Sequence, residues 1–168
     1  LGIPAEPLFR SRSRVGEGFG MNVLISARPG QSAPAADGRV PFDQVLAESD
    51  VLSLHCPLTD ATRNLLNADA FRRMKRDAIL INTARGGLID EPALAEALKH
   101  GEIGGAGIDV LPVEPPAADD PLLAPDIPNL VVTPHIAWAA REARQRAIDQ
   151  VAENVTAFLA GSELRRIV

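Results

Sequence analysis

Aromatic residues are scarce in this chain: 4% of 168 residues, with no tyrosine, one tryptophan and five phenylalanines. A core must therefore be built from aliphatic side chains and alanine. The single cysteine, Cys56, excludes an internal disulfide framework and fits a reducing, cytoplasmic setting. With only His55, His100 and His135 beside it, a structural zinc site is not expected. No apolar run reaches the ~18 residues of a membrane span, and no signal peptide is visible. Basic residues are in the minority, 17 against 22 acidic ones, giving a net charge of −5 and a pI of about 5.2. That argues against a domain built to grip nucleic acid. The run Arg10-Ser11-Arg12-Ser13-Arg14 reads as a solvated segment rather than a phosphate patch.

What is present is an ordinary globular composition, 46% hydrophobic and 23% charged. The length suits one domain, and Leu1 in place of Met suggests numbering that begins inside a longer protein. Short aliphatic runs alternate with helix-like segments. Strands are expected at Val23-Leu24-Ile25, Val51–Leu54, 78–82, 106–110 and 130–133. Helices are expected at 42–48, at 67–74 behind an Asn67 cap, at 90–99 between Asp90 and Gly101, and at 139–160. Stretch 28–41, with its prolines and glycines, and stretch 112–128, with six prolines, read as loops. The strands are continuously apolar, as in a parallel sheet covered on both faces. The expected fold is α/β, a doubly wound parallel sheet of Rossmann type. In the last helix Ala143, Ala147, Ile148, Val151, Val155, Phe158 and Leu159 recur at spacings of three and four, which predicts a face packed into the core.

Such a sheet keeps its ligands at the carboxyl ends of its strands. There stand His55-Cys56-Pro57, Thr83-Ala84-Arg85-Gly86-Gly87, Asp109 with Glu114 in the loop beyond, and Pro134-His135-Ile136-Ala137-Trp138. A histidine can move a proton near neutral pH, a carboxylate can hold the imidazole, and an arginine fork suits a carboxylate substrate. No G-x-S-x-G elbow points to hydrolysis instead. Cys56, followed by proline and with no evident base, reads as a small buried thiol.

The runs Ile81–Glu91, Asp109–Pro116 and Thr133–Trp138, in this order and spacing, resemble the D-isomer-specific 2-hydroxyacid dehydrogenases. Val113-Glu114-Pro115-Pro116 and His135–Trp138 with Arg141–Arg144 resemble the glycerate dehydrogenase (hydroxypyruvate reductase) branch most. The resemblance runs from about Phe19 to Val168. It implies an NAD- or NADP-dependent oxidoreductase acting on a small 2-oxo or 2-hydroxy acid, hydroxypyruvate/D-glycerate first and glyoxylate second. It implies His135 as general acid/base, Glu114 as its partner, and Arg85 as the group that binds the carboxylate and polarises the carbonyl. Asp109 would hold the nicotinamide carboxamide. Cys56, Pro57, Thr62, Thr83, Ala84 and His135 would line the cofactor, and Trp138 the substrate. It further implies a homodimer for the intact protein. Residues 1–150 would form the nucleotide-binding domain, and 151–168 the end of the long helix with a remnant of the substrate domain.

Two departures stand out. A dinucleotide fold carries G-x-G-x-x-G after its first strand, but Leu1-Gly2-Ile3 is followed by Pro4-Ala5-Glu6-Pro7 and no such fingerprint. Gly16-Glu17-Gly18-Phe19-Gly20 is a decoy, expected to be a helix end turning into the next strand. The broken pattern over 4–15 is read as a local frameshift or gene decay. It leaves two readings open: a dehydrogenase fragment, too short to turn over alone, or a non-catalytic remnant that folds without binding cofactor. The second departure is Ile25-Ser26-Ala27-Arg28. No acid is there for the ribose hydroxyls of NAD, and Arg28 could accommodate the 2′-phosphate of NADP.

Overall fold

Four parallel strands, β1 (Val51–Leu54), β2 (Ile79–Asn82), β3 (Gly105–Ile108) and β4 (Leu130–Val132), lie side by side in chain order. The computed structural model describes residues 13–27 and 38–165, and these fall into two compact units, one ending at Pro134 and the other beginning at His135. The sheet belongs to the first unit. Each parallel step needs a crossover. Helix α3 (Ala68–Arg73) connects β1 to β2, and α4 (Glu91–Lys99) connects β2 to β3. Helix α2 (Phe42–Glu48) precedes β1 and packs against α3, which packs against α4.

Local chemistry explains the helix boundaries. Asn67 Oδ1 accepts from the Asp69 and Ala70 amides at 3.0 and 3.1 Å, satisfying two donors that the first turn of α3 leaves open. Asp90 Oδ1 does the same for Ala93 N in α4, with Pro92 in the first turn and exit at Gly101. The segment at 16–20 is the helix end foreseen. Residues 13–18 form α1. Met21 N bonds to Gly16 O and Gly20 N to Glu17 O, with Gly20 at φ +77°. This is a Schellman cap, which needs the left-handed backbone that glycine adopts freely.

The sheet has one dry face. Leu52, Leu54, Leu80, Asn82, Ala106 and Ile108 are buried, together with Val45 and Leu46 of α2, Phe71 of α3, and Leu94 and Leu98 of α4. Side chains alternate across a strand, and among the described residues the opposite face is less covered than the continuous apolar runs predicted. Val51, Ile79 and Val131 are 48%, 37% and 63% exposed. The parallel sheet with its helices is as expected, and α2, α3 and α4 contribute their buried residues to one core.

Two further expectations are corrected. Val23-Leu24-Ile25 forms no ladder among the described residues: the only pairing nearby is a single bridge between Ser26 and Val40. A strand exists only where a neighbour takes its amides and carbonyls; here Ala27 N and Ile25 O both go to Val40. The long helix α5 (Arg141–Leu159) forms where expected, but none of its residues is buried. Ile148, Val151, Val155, Phe158 and Leu159 are 52–81% exposed. Periodicity made the helix amphipathic, and no described residue covers its apolar face. The first expected strand, at Leu1-Gly2-Ile3, and residues 4–12 of the broken pattern over 4–15, together with Arg28, lie outside the described residues.

Candidate active site

The strand register sets up a common rim. Leu54, Asn82, Ile108 and Val132 are Cα partners in sequence across the sheet, so the residue after each stands at the same carboxyl end. The ladder continues past the strands. Asp109 N donates to Asn82 O and Thr133 N to Ile108 O, both at 2.9 Å. Asp109 is 5% exposed, and a carboxylate so deep needs a donor. Thr133 Oγ1 supplies one at 2.5 Å.

Beyond β2 the chain makes a tight turn through Thr83, Ala84 and Arg85. The Asn82 side chain, fully buried, holds it from inside: Oδ1 accepts from Ala84 N at 3.0 Å and Nδ2 donates to Arg85 O at 2.9 Å. Arg85 is exposed, and its Nη1 donates to Ala84 O at 2.6 Å. Gly86 opens a 3-10 turn, Gly86–Leu88. A Cβ there would sit 2.1 Å from Leu111 C and 2.2 Å from Pro112 N, so only glycine lets the turn press against the backbone after β3.

That backbone leads to Glu114, whose Oε1 accepts from Leu111 N at 2.9 Å; the Glu114–Pro115 bond is cis. The structure thus brings the Arg85 turn and the Glu114 loop into direct apposition. Further along, the 3-10 turn Pro121–Leu123, capped by Asp120, packs on α4. Glu91 Oε1, in the first turn of α4, is buried without a hydrogen-bond partner among the described residues. Burial first, then the charges of Asp120 and Asp90, push its carboxyl up to about 7.

Beyond β1, Cys56 is half-buried against the core, and burial pushes its thiol up, which disfavours a nucleophile. Pro57 is exposed. Thr62, 4% exposed, ties the loop together by donating to Pro57 O at 2.7 Å and accepting from Thr59 N at 2.8 Å. His55 shares a 2.9 Å hydrogen bond with Ser53 Oγ.

His135 and Trp138 belong to the second unit. His135 is exposed with φ +50°, a backbone state uncommon for residues other than glycine. Trp138 is 60% exposed, within a turn closed by Ala139 N donating to Ile136 O. Sequence reasoning singled out Arg85, Asp109 and Glu114 but missed Asn82 and Thr133, the side chains that hold two of them. The available signal was a polar residue at the last position of an apolar strand, Asn82, and one just past it, Thr133.

A parallel sheet with its polar groups gathered at the carboxyl ends of the strands is the architecture of a Rossmann-like nucleotide-binding domain. The family described as D-isomer specific 2-hydroxyacid dehydrogenase, NAD binding domain, matches residues 10–137. A glycerate dehydrogenase of Methylorubrum extorquens is 51% identical over 154 residues, covering 92% of this chain and 48% of that protein. A glyoxylate reductase of Korarchaeum cryptofilum is 45% identical over 152 residues, 89% of this chain and 45% of that protein. The crystal structure of a D-lactate dehydrogenase with NAD+ from Lactobacillus jensenii matches with a TM-score of 0.77 at 33% identity, covering 92% of this chain and 50% of that one. The chain therefore belongs to the D-isomer specific 2-hydroxyacid dehydrogenase family, in its NAD-binding domain. It spans about half the length of the curated relatives it matches.

Proposed function

We propose that this chain is the cofactor-binding part of an oxidoreductase that passes hydride between a nicotinamide and a small D-2-hydroxy acid, with hydroxypyruvate/D-glycerate the first pair to test and glyoxylate the second. The observation that carries the reading is the buried Asp109 on the rim beside the Arg85 turn. An oriented acceptor suits the carboxamide of a nicotinamide, and Cys56, Pro57, Thr62, Thr83 and Ala84 offer small walls for a flat ring. The glycerate dehydrogenase and glyoxylate reductase relatives support the substrate class.

When bound, the nicotinamide supplies or accepts the hydride. Arg85 binds the substrate carboxylate through its planar fork and stabilises negative charge as the carbonyl is reduced. His135 gives its proton to the developing alkoxide, or takes it in the reverse direction. In this reading Glu114 is the carboxylate partner of the acid/base residue, and Trp138 bounds the substrate. Residues 151–168 are read as the end of the long helix with a remnant of the substrate domain, and the intact protein as a homodimer in the cytoplasm.

Titration with NADH and NADPH by fluorescence or calorimetry tests this. Micromolar cofactor binding is expected. Arg85→Ala should weaken binding of the 2-oxo acid by about a hundredfold, the scale of a lost charge-assisted fork, while leaving cofactor affinity alone. The lack of a glycine fingerprint over 4–15 favours a second reading, a remnant that folds but binds no cofactor. Absence of any cofactor binding would select it.

A further inference from the structure

We infer that Asn82 is a positioning residue: its buried carboxamide, with the close approach at Gly86, sets where the Arg85 guanidinium stands relative to the Glu114 loop. The inference rests on the reading of Arg85 as the carboxylate-binding group. Asn82 ends β2 with no exposed surface, where an apolar side chain would pack without cost. Instead its amide spans the turn, accepting from Ala84 N and donating to Arg85 O. The pair is directional. An aspartate would face Arg85 O with a second acceptor, and a serine is too short to reach both partners. Its own carbonyl accepts from Asp109 N, so one residue ties the Arg85 turn to the segment bearing Asp109.

The far side of the turn is fixed as well. Gly86 lies against Leu111 and Pro112 with no room for a methyl group, and Leu111 N is the donor to Glu114 Oε1. The turn is thus clamped between the Asn82 amide and the backbone that carries Glu114. Arg85 has a long side chain, its Nη1 donating to the neighbouring Ala84 O, and what the turn specifies is where that side chain begins. A flexible guanidinium anchored at a fixed point loses less freedom on binding a carboxylate than one on a mobile turn.

The test uses the full chain with Asn82→Asp, Asn82→Ser and Gly86→Ala. Amide exchange at Ala84 should quicken about tenfold in Asn82→Ser, which loses the acceptor, as for loss of one buried hydrogen bond. Asn82→Asp keeps an acceptor for Ala84 N and loses only the donor to Arg85 O, and core amides such as Ala106 keep their protection. In Asn82→Asp, Ala84 exchange should stay close to wild type. Oxalate, used as a carboxylate probe, should bind about tenfold more weakly in all three variants, with NADH affinity within twofold of wild type. Unchanged Ala84 exchange in Asn82→Ser overturns the inference. So does an equal fall in oxalate and NADH affinity, which would mark a general structural role. Should the wild-type chain bind no oxalate, the reading of Arg85 fails, and Ala84 exchange then decides the positioning of the turn by itself.

Discussion

Helices α4 and α5 carry the same kind of apolar spacing and meet opposite ends. In α4, Leu94, Ala95, Ala97 and Leu98 are buried against the sheet. In α5, more than twice as long, no residue is buried and Phe158 is 81% exposed. Spacing decides which side of a helix is apolar. It does not decide whether anything lies there, and only the contact removes surface from water, at about 25 cal/mol per Å². Core membership is therefore a property of the pair of surfaces.

The sharpest way to break the contrast is to truncate one large side chain in each region. Phe71→Ala empties a fully buried site in α3 and should cost about 3–5 kcal/mol in urea unfolding. Phe158→Ala removes the same atoms from an exposed site and should change stability by no more than about 0.5 kcal/mol. Equal losses would show that α5 is buried in solution.

The pH response comes next, and it lies in the packed region. The Glu91 carboxyl is raised from 4.5 to about 7, mainly by burial and secondarily by Asp120 and Asp90. Above pH 4.5 the unfolded chain releases this proton while the folded one retains it. The contribution to stability is thus full below about pH 4.5 and lost as pH rises through about 7. Thermal melts should show stability falling across that window, and Glu91→Gln should flatten the fall. An unchanged profile in the variant would place the titrating group elsewhere.

Smaller is the cap on α3. Asn67→Ala should cost about 1 kcal/mol, through the two first-turn amides it leaves open. At the bottom of the scale, Val151→Ser on the uncovered stripe of α5 should register within about 0.5 kcal/mol. A larger loss there, or a dependence on protein concentration, would mean that the stripe has a partner.

Much of the packed region was legible because its signals are local. Asn67 and Asp90 announced their helices, Gly20 its helix end, and the aliphatic runs the parallel sheet. Arg85, Asp109 and Glu114 could be placed because residues that follow strands in such a sheet gather at one end. What escaped depends on distant partners. Val23-Leu24-Ile25 has strand composition, but only a neighbour makes a strand, and it shares one bridge with Val40. Val51 and Ile79 looked like core, yet the helices cover the other face. Asn82 and Thr133 carry no pattern of their own, and their roles appear only once the turn and the neighbouring strand are in place.

The four strands ending in one register row have a consequence for how the molecule can change. Every crossover must carry the chain back to the amino end, so tolerance to redesign is polarised. At the amino end, Gly104 lies within 2.7 Å of the Asp77 backbone, measured from where its Cβ would be, and Ile79 N bonds to Asp50 O. Substitutions there are felt as folding. The carboxyl end is a terrace of loops resting on Asn82, Thr62 and Thr133, where exposed residues can be exchanged while the foundations stay. Selection for a new substrate would find its variation on that terrace, and selection for heat resistance would find its own one strand-length away.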